Sequence, residues 1–223
     1  QARELSIPPI HFRTRYSLLA GVFSPEEACS LAAASGSRFV GIADIGNFYA
    51  LPRFLAAAAG RELSPLVGVH IEREGEPLFT AYCRDHAGFE RANGILSRLL
   101  AGKAPGLPPA SVSGAAAYEP SLDLLADGWN GLSLLVFSVP VMRLLAGRGR
   151  EGLYCAIPWG RPFRESLAAA RSLGIPPVAV NTAAWRTGEE RRLLHLLRSI
   201  DRIIPVDRLP PSGTPHPSHR FVP

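Results

Sequence analysis

The chain has 223 residues, 47% apolar and 19% charged, with a formal net charge of +5. That length and apolar share suffice for a buried core, and they exclude a disordered chain, a collagen-like repeat and a small disulfide-stapled domain. The longest apolar run, Gly131 to Ala146, is interrupted by Pro140 and Arg143 and falls short of the ~20 residues that a bilayer span needs.

In chain order, the opening Gln1-Ala-Arg-Glu-Leu-Ser lacks the apolar core of a signal peptide, which points to a cytoplasmic protein with no membrane partner. A first strand is expected near Pro9–Phe12. Ser24-Pro25-Glu26-Glu27 is a capping box that opens a helix over Pro25–Ser35, and Gly36 ends it. A strand near Arg38–Ala43, a helix over Leu51–Gly60 and strands near Pro65–Ile71 and Leu78–Cys83 follow. Asp85 is placed to cap a helix over Ala87–Ala101, and Ala101 to Gly114 reads as a loop rich in Ala, Pro and Gly. Beyond it come a strand near Gly131–Phe137, a helix over Val139–Ala146, a strand near Leu153–Ile157, a helix over Pro162–Leu173 and a strand near Pro177–Val180. Thr187-Gly-Glu-Glu190 repeats the capping-box pattern ahead of a helix over Gly188–Ile200. From Pro205 the prolines recur too often for a regular helix, so residues 1–204 form the expected domain and 205–223 a connector. Alternating strands and helices imply an α/β fold with a mostly parallel sheet, and seven strands suit a small β/α barrel.

Cys29, Cys83 and Cys155 are widely spaced and form no CxxC pair, so they read as reduced, mostly buried thiols. Lys103 is the only lysine, and the arginines are scattered, as on a solvated surface. In β/α folds chemistry gathers at the C-terminal ends of strands. Those ends carry His11 and Arg13, then Asp44, then His70 and Glu72, and last Asn181 and Thr182. Two imidazoles and a carboxylate (His11, Asp44, His70) form a zinc-type ligand set. Arg13 would project into the same mouth, where a guanidinium repels a dication and can pair with Asp44 instead. The ion pair Arg13–Asp44 is therefore the expectation, with zinc at His11, Asp44 and His70 its rival. There is no GxSxG, P-loop or GxGxxG. His195 reads as a surface residue on an amphipathic helix, and His216 and His219 lie in the proline-rich tail. Phe12, Tyr16, Trp159 and Trp185 stand near arginines, so a single-stranded DNA-binding module is one alternative, set against burial of the aromatics in the core.

The run Ile10-His-Phe-Arg-Thr-Arg-Tyr-Ser-Leu-Leu-Ala-Gly21 resembles the opening of the polymerase-and-histidinol-phosphatase (PHP) domain of bacterial C-family DNA polymerases. That family reads His-x-His, two residues, then Tyr-Ser-Leu-Leu-Asp-Gly. Gly41 to Tyr49 resembles its Leu-Thr-Asp-His-Gly-Asn-Leu-Tyr, and Leu66 to Ile71 its Ile-Ile-Gly-Cys-Glu-Val. Phe79 to Leu100 and Leu173 to Asn181 resemble two further family segments in the same order. The resemblance implies a distorted (β/α)7 barrel of the PHP type.

Carried over position by position, the family's metal ligands are largely exchanged. His11 and Asp44 are kept, whereas Arg13, Ile45, His70, Leu78, Thr182 and Ala184 stand where the family has other ligands. The family's Cys ligand finds no counterpart near Phe137 and Ser138. Guanidinium and alkyl groups do not ligate, so the resemblance implies no catalytic residue and no metal in this chain. It further implies the N-terminal domain of a DNA polymerase III alpha-type subunit, replicative or error-prone, whose Mg-dependent nucleotidyl transfer in replication or repair belongs to an absent polymerase core. Expected partners are the rest of that polymerase chain, a proofreading exonuclease subunit and, through the intact enzyme, DNA. An active metal-dependent phosphoesterase of the histidinol-phosphatase type is the rival reading.

Overall fold

The computed structural model describes residues 7–73, 75–101, 125, 126, 128–210 and 215–222. Its helices are α1 (Pro25–Ala34), α2 (Leu51–Ala59), α3 (His86–Ala101), α4 (Val139–Ala146), α5 (Arg164–Leu173) and α6 (Gly188–Arg202). Its strands are β1 (Phe39–Ile45), β2 (Ser64–Arg73), β3 (Glu76–Cys83), β4 (Leu132–Val136), β5 (Leu153–Pro158) and β6 (Pro177–Val180). The fold class is α/β, and the sheet takes its strands in chain order from β1 to β6. All of the Ala101–Gly114 loop expectation except Ala101 lies outside the described residues.

The chain divides into two compact units, one of residues 1–70, 157–162 and 179–223, the other of residues 71–156 and 163–178. In the first unit β1 and β2 run parallel, from Phe39 opposite Ser64 to Ile45 opposite His70. In the second, β4 and β5 are parallel but β3 is antiparallel to β4, with Phe79 opposite Val136 and Cys83 opposite Leu132. A parallel partner for β2 would need a crossover of a dozen or more residues. The turn between Arg73 and Glu76, with Gly75 at φ 84°, is too short for one, so β3 runs back. Leu78, Phe79 and Ala81 of β3, Leu134 of β4 and Leu145 of α4 are buried in this second unit.

Local chemistry sets most boundaries. Both capping boxes form. Ser24 N–H donates to Glu27 Oε2 at 2.6 Å while Glu27 N–H donates back to Ser24 Oγ at 3.1 Å. Thr187 and Glu190 make the same exchange at 3.1 and 3.2 Å. Asp85 caps α3 by accepting from Gly88 N–H at 2.7 Å. None of the three cysteines is in a disulfide, and burial pushes the Cys29 thiol up to about 11.

Two expectations change. No strand forms at Pro9–Phe12, which leaves six strands among the described residues where seven were expected. Pro8 and Pro9 have no N–H to give to a ladder, and only Phe12 bridges, to Ile42 on one side and Ala183 on the other. The second change is in the tail. Residues 215–222, expected as connector, pack into the first unit, where Phe221 joins the core cluster and stacks on Phe12 with ring centroids 5.3 Å apart. Among the bonds that anchor it are Phe221 N–H to the Trp185 carbonyl at 2.7 Å and Ala184 N–H to the His219 carbonyl at 2.8 Å.

Gly41 lets the non-strand segment approach β1. A Cβ there would stand 2.0 Å from the Ile10 carbonyl oxygen. Gly41→Ala is therefore expected to push the His11 segment off β1 and cost about 1–3 kcal/mol, the usual range for an overpacked core. Urea denaturation checks this, and an unchanged midpoint would show that the segment can shift freely.

Candidate metal-type site

The segment bearing His11 and Arg13 is threaded between two neighbours. Phe12 N–H donates to the Gly41 carbonyl at 2.9 Å, Ala43 N–H to the Phe12 carbonyl at 2.8 Å, and Arg13 N–H to the Ala183 carbonyl at 2.8 Å. These bonds bring His11, Arg13, Asp44 and His70, all buried, to one side of the first unit. The His11 and His70 rings meet edge to face with centroids 5.3 Å apart.

Asp44 is held by neutral donors. Its Oδ1 accepts from Thr14 N–H at 2.7 Å and from Ser17 Oγ at 2.6 Å, and its Oδ2 accepts from Thr14 Oγ1 at 2.7 Å. Ser17 Oγ in turn accepts from Ile45 N–H at 3.1 Å. The carboxylate thus ties residues 14–17 to β1. Burial raises the Asp44 pKa, against the bonds from Ser17 and Thr14 and, last in size, the charge of Arg13.

The histidines are driven the other way. Burial, reinforced by the Arg13 guanidinium, pushes His11 down to about 3. His70 lies well below the ordinary imidazole range through burial, then Arg13, His11 and His219. His219 is also well below it, through burial, Arg13 and Arg161 before the smaller effects of His216 and Arg198. Burial and the charge of Arg13 thus disfavour protonation of all three imidazoles, and the Asp44 carboxyl has its oxygens engaged.

His219 joins this cluster although nothing in its tail sequence marks it. The signal lies in Asn181, which the sequence does single out at a strand end. Its Nδ2 donates to the Ser218 carbonyl at 3.1 Å and the Arg220 carbonyl at 2.9 Å, and its Oδ1 accepts from Val222 N–H at 3.3 Å. Asn181 thus clamps the residues on either side of His219. Thr14 and Ser17 were equally silent as parts of the site. His195, expected at the surface, is half-buried on α6 with its Nε2 shielded from solvent.

The remaining ligand positions carry no donor set. Ile45 is half-buried, while Thr182 and Ala184 are buried in the first unit. Leu78 belongs to the second unit. Among the described residues no group of three or more His, Cys, Asp or Glu side chains is placed to hold a metal ion. A dication would have to displace the Thr14 and Ser17 bonds from Asp44 and lie in the field of Arg13, which it is repelled by. The residues present do not fit a metal cluster.

A family profile of the PHP domain matches residues 9–145. No curated protein matches the chain. Among solved structures the chain is similar to a Bifidobacterium adolescentis protein provisionally named a metal-dependent phosphoesterase, with 14% identity over 79% of this chain and 88% of that one, at a TM-score of 0.49. A second is an amidohydrolase from Chromobacterium violaceum, with 17% identity over 95% of this chain and 92% of that one, at a TM-score of 0.37. Among the described residues no helix is long and apolar enough to cross a membrane.

Proposed function

Since the chain belongs to the PHP domain family, we propose that it is the N-terminal domain of a bacterial DNA polymerase III alpha-type subunit, acting there without metal as a structural and partner-docking module. The polymerase setting rests on the ordered motifs from Ile10 to Asn181. The observation that carries the metal-free reading is the state of Asp44, whose oxygens serve Thr14 and Ser17 while Arg13 supplies positive charge beside it. In this reading Arg13 stands where a cation would otherwise balance Asp44. Ile45 and Ala184 replace polar ligands by hydrocarbon, an exchange that is often neutral or stabilising by ~1–4 kcal/mol.

The docking role draws support from α6. Leu193, Leu196 and Ile200 follow one another at helical spacing and remain exposed, and Ile203, the left-handed residue that ends the helix, is 92% exposed. The proposed occupant of that face is the remainder of the polymerase chain. A proofreading exonuclease subunit, and DNA through the intact polymerase, complete the proposed partners in a cytoplasmic setting.

The test is metal removal with an activity assay. EDTA is expected to leave the melting temperature unchanged, and the chain is expected not to hydrolyse p-nitrophenyl phosphate with added zinc or manganese. A large drop in melting temperature on chelation, together with metal-dependent hydrolysis, would establish the phosphoesterase reading in its place. Primer extension is expected from the intact polymerase and not from this chain alone.

A further inference from the structure

We propose that the cavity after β5 binds a nucleotide unit, with the base stacked on Trp159 and the phosphate held by Arg161. Of the three tryptophans, Trp129 and Trp185 are buried, whereas Trp159 is 52% exposed. Trp185 already carries the Arg191 guanidinium 5.7 Å from its ring centroid. The Trp159 backbone is fixed, its N–H donating to the Val180 carbonyl at 2.8 Å. The ring borders a cavity of about 450 Å³ shared with Gly160, His216, Ser218, Arg220 and Val222. That size, with an aromatic wall and few polar groups, suits a small organic ligand.

The cavity wall carries two basic side chains, His216 and Arg220, and Arg161 follows the lining Gly160. Ser218 N–H donates to His216 Nδ1 at 3.1 Å, which makes Nδ1 the acceptor and leaves the proton of the neutral ring on Nε2. Burial and the charges of Arg161 and Arg191 keep His216 below the ordinary imidazole range. Arg161 Nε is shielded from water and has no hydrogen-bond acceptor among the described residues. A desolvated guanidinium N–H is best satisfied by an oxyanion. No carboxylate is among the groups acting on His216 or His219; the charges there are arginines.

A planar ring on the cavity wall, with a guanidinium one residue beyond the lining Gly160 and acting on the lining His216, selects a ligand that is both aromatic and anionic. A purely apolar ligand would leave Arg161 Nε without an acceptor, and a bare phosphate would not use the tryptophan. A nucleotide meets both demands, whether free or as part of a single strand.

The test titrates the full chain with short oligo-dT and, separately, with dTMP while following tryptophan fluorescence. Saturable quenching is expected, and it reports Trp159 because the other two tryptophans are buried. Trp159→Ala is expected to weaken oligo-dT binding, read by anisotropy of a labelled strand, by about tenfold. Arg161→Ala is expected to reduce the slope of log K against log salt by about 0.7, the share of one phosphate contact on a single strand. Tighter binding of oligo-dT than of dTMP supports a strand as the source, and equal binding supports a free nucleotide. Absence of quenching by both probes, or binding that survives both substitutions, overturns the proposal.

Discussion

At pH 5 the protein is expected to melt well below its melting temperature at pH 7.5. His11 drives this result because its imidazole is buried and held to about 3. Above 6.5 the ring is neutral in both the folded and unfolded chain and adds no pH dependence. Between 6.5 and 3 the unfolded chain binds a proton that the folded chain excludes, so stability falls as the pH falls. At pH 5 the loss from His11 alone is about 2 kcal/mol, or roughly 4–8 °C for a chain of this size. His70 and His219 shift in the same direction and deepen the loss. Asp44 opposes it in part, since its raised pKa makes the folded state take up a proton first on acidification. The charged group facing all three imidazoles is Arg13. Melting curves from pH 7.5 to 5 decide the matter, with His11→Gln expected to flatten the slope. A profile level across that range would mean that the imidazoles are not kept from water.

Asp44→Ala is expected to cost about 3 kcal/mol or more, because Thr14 N–H, Thr14 Oγ1 and Ser17 Oγ all lose their acceptor inside the protein. Asp44→Asn should cost far less. Its amide oxygen can still accept from Thr14 N–H and Ser17 Oγ, and its NH2 can donate to Thr14 Oγ1. Urea denaturation of the two variants separates a hydrogen-bonding role from a metal-binding one. If Asn proves as damaging as Ala, the negative charge rather than the acceptor geometry is what the fold requires.

Local chemistry made much of the fold legible. The two capping boxes, the Asp85 cap and the left-handed glycine after α1 all lie in contiguous residues, so their hydrogen bonds are decided within one turn of chain. Other features were not readable this way. Pro9–Phe12 looked like a strand, but its bonding depends on Gly41 and Ala183, residues distant in sequence. Phe12 and Trp185, candidates for stacking on bases, turned out to be core, while Trp159 alone of the candidate tryptophans stayed in solvent.

The surroundings of Asp44 show how much residue types alone leave open. Residue types alone placed a cation and an anion in one mouth, and charge complementarity suggested that they meet. The folded chain gives the carboxylate three short bonds from Thr14 and Ser17, with Arg13 acting on it as the smallest of the named influences.

By itself the sequence determined the α/β class and the helix starts, because each depends on side-chain type and short-range spacing. Only the tertiary structure decided that the tail returns to bring His219 beside Arg13, that β3 reverses, and that a cavity opens beside Trp159. Those features depend on which distant groups share buried space, and desolvation there sets both the hydrogen bonds and the protonation of the site.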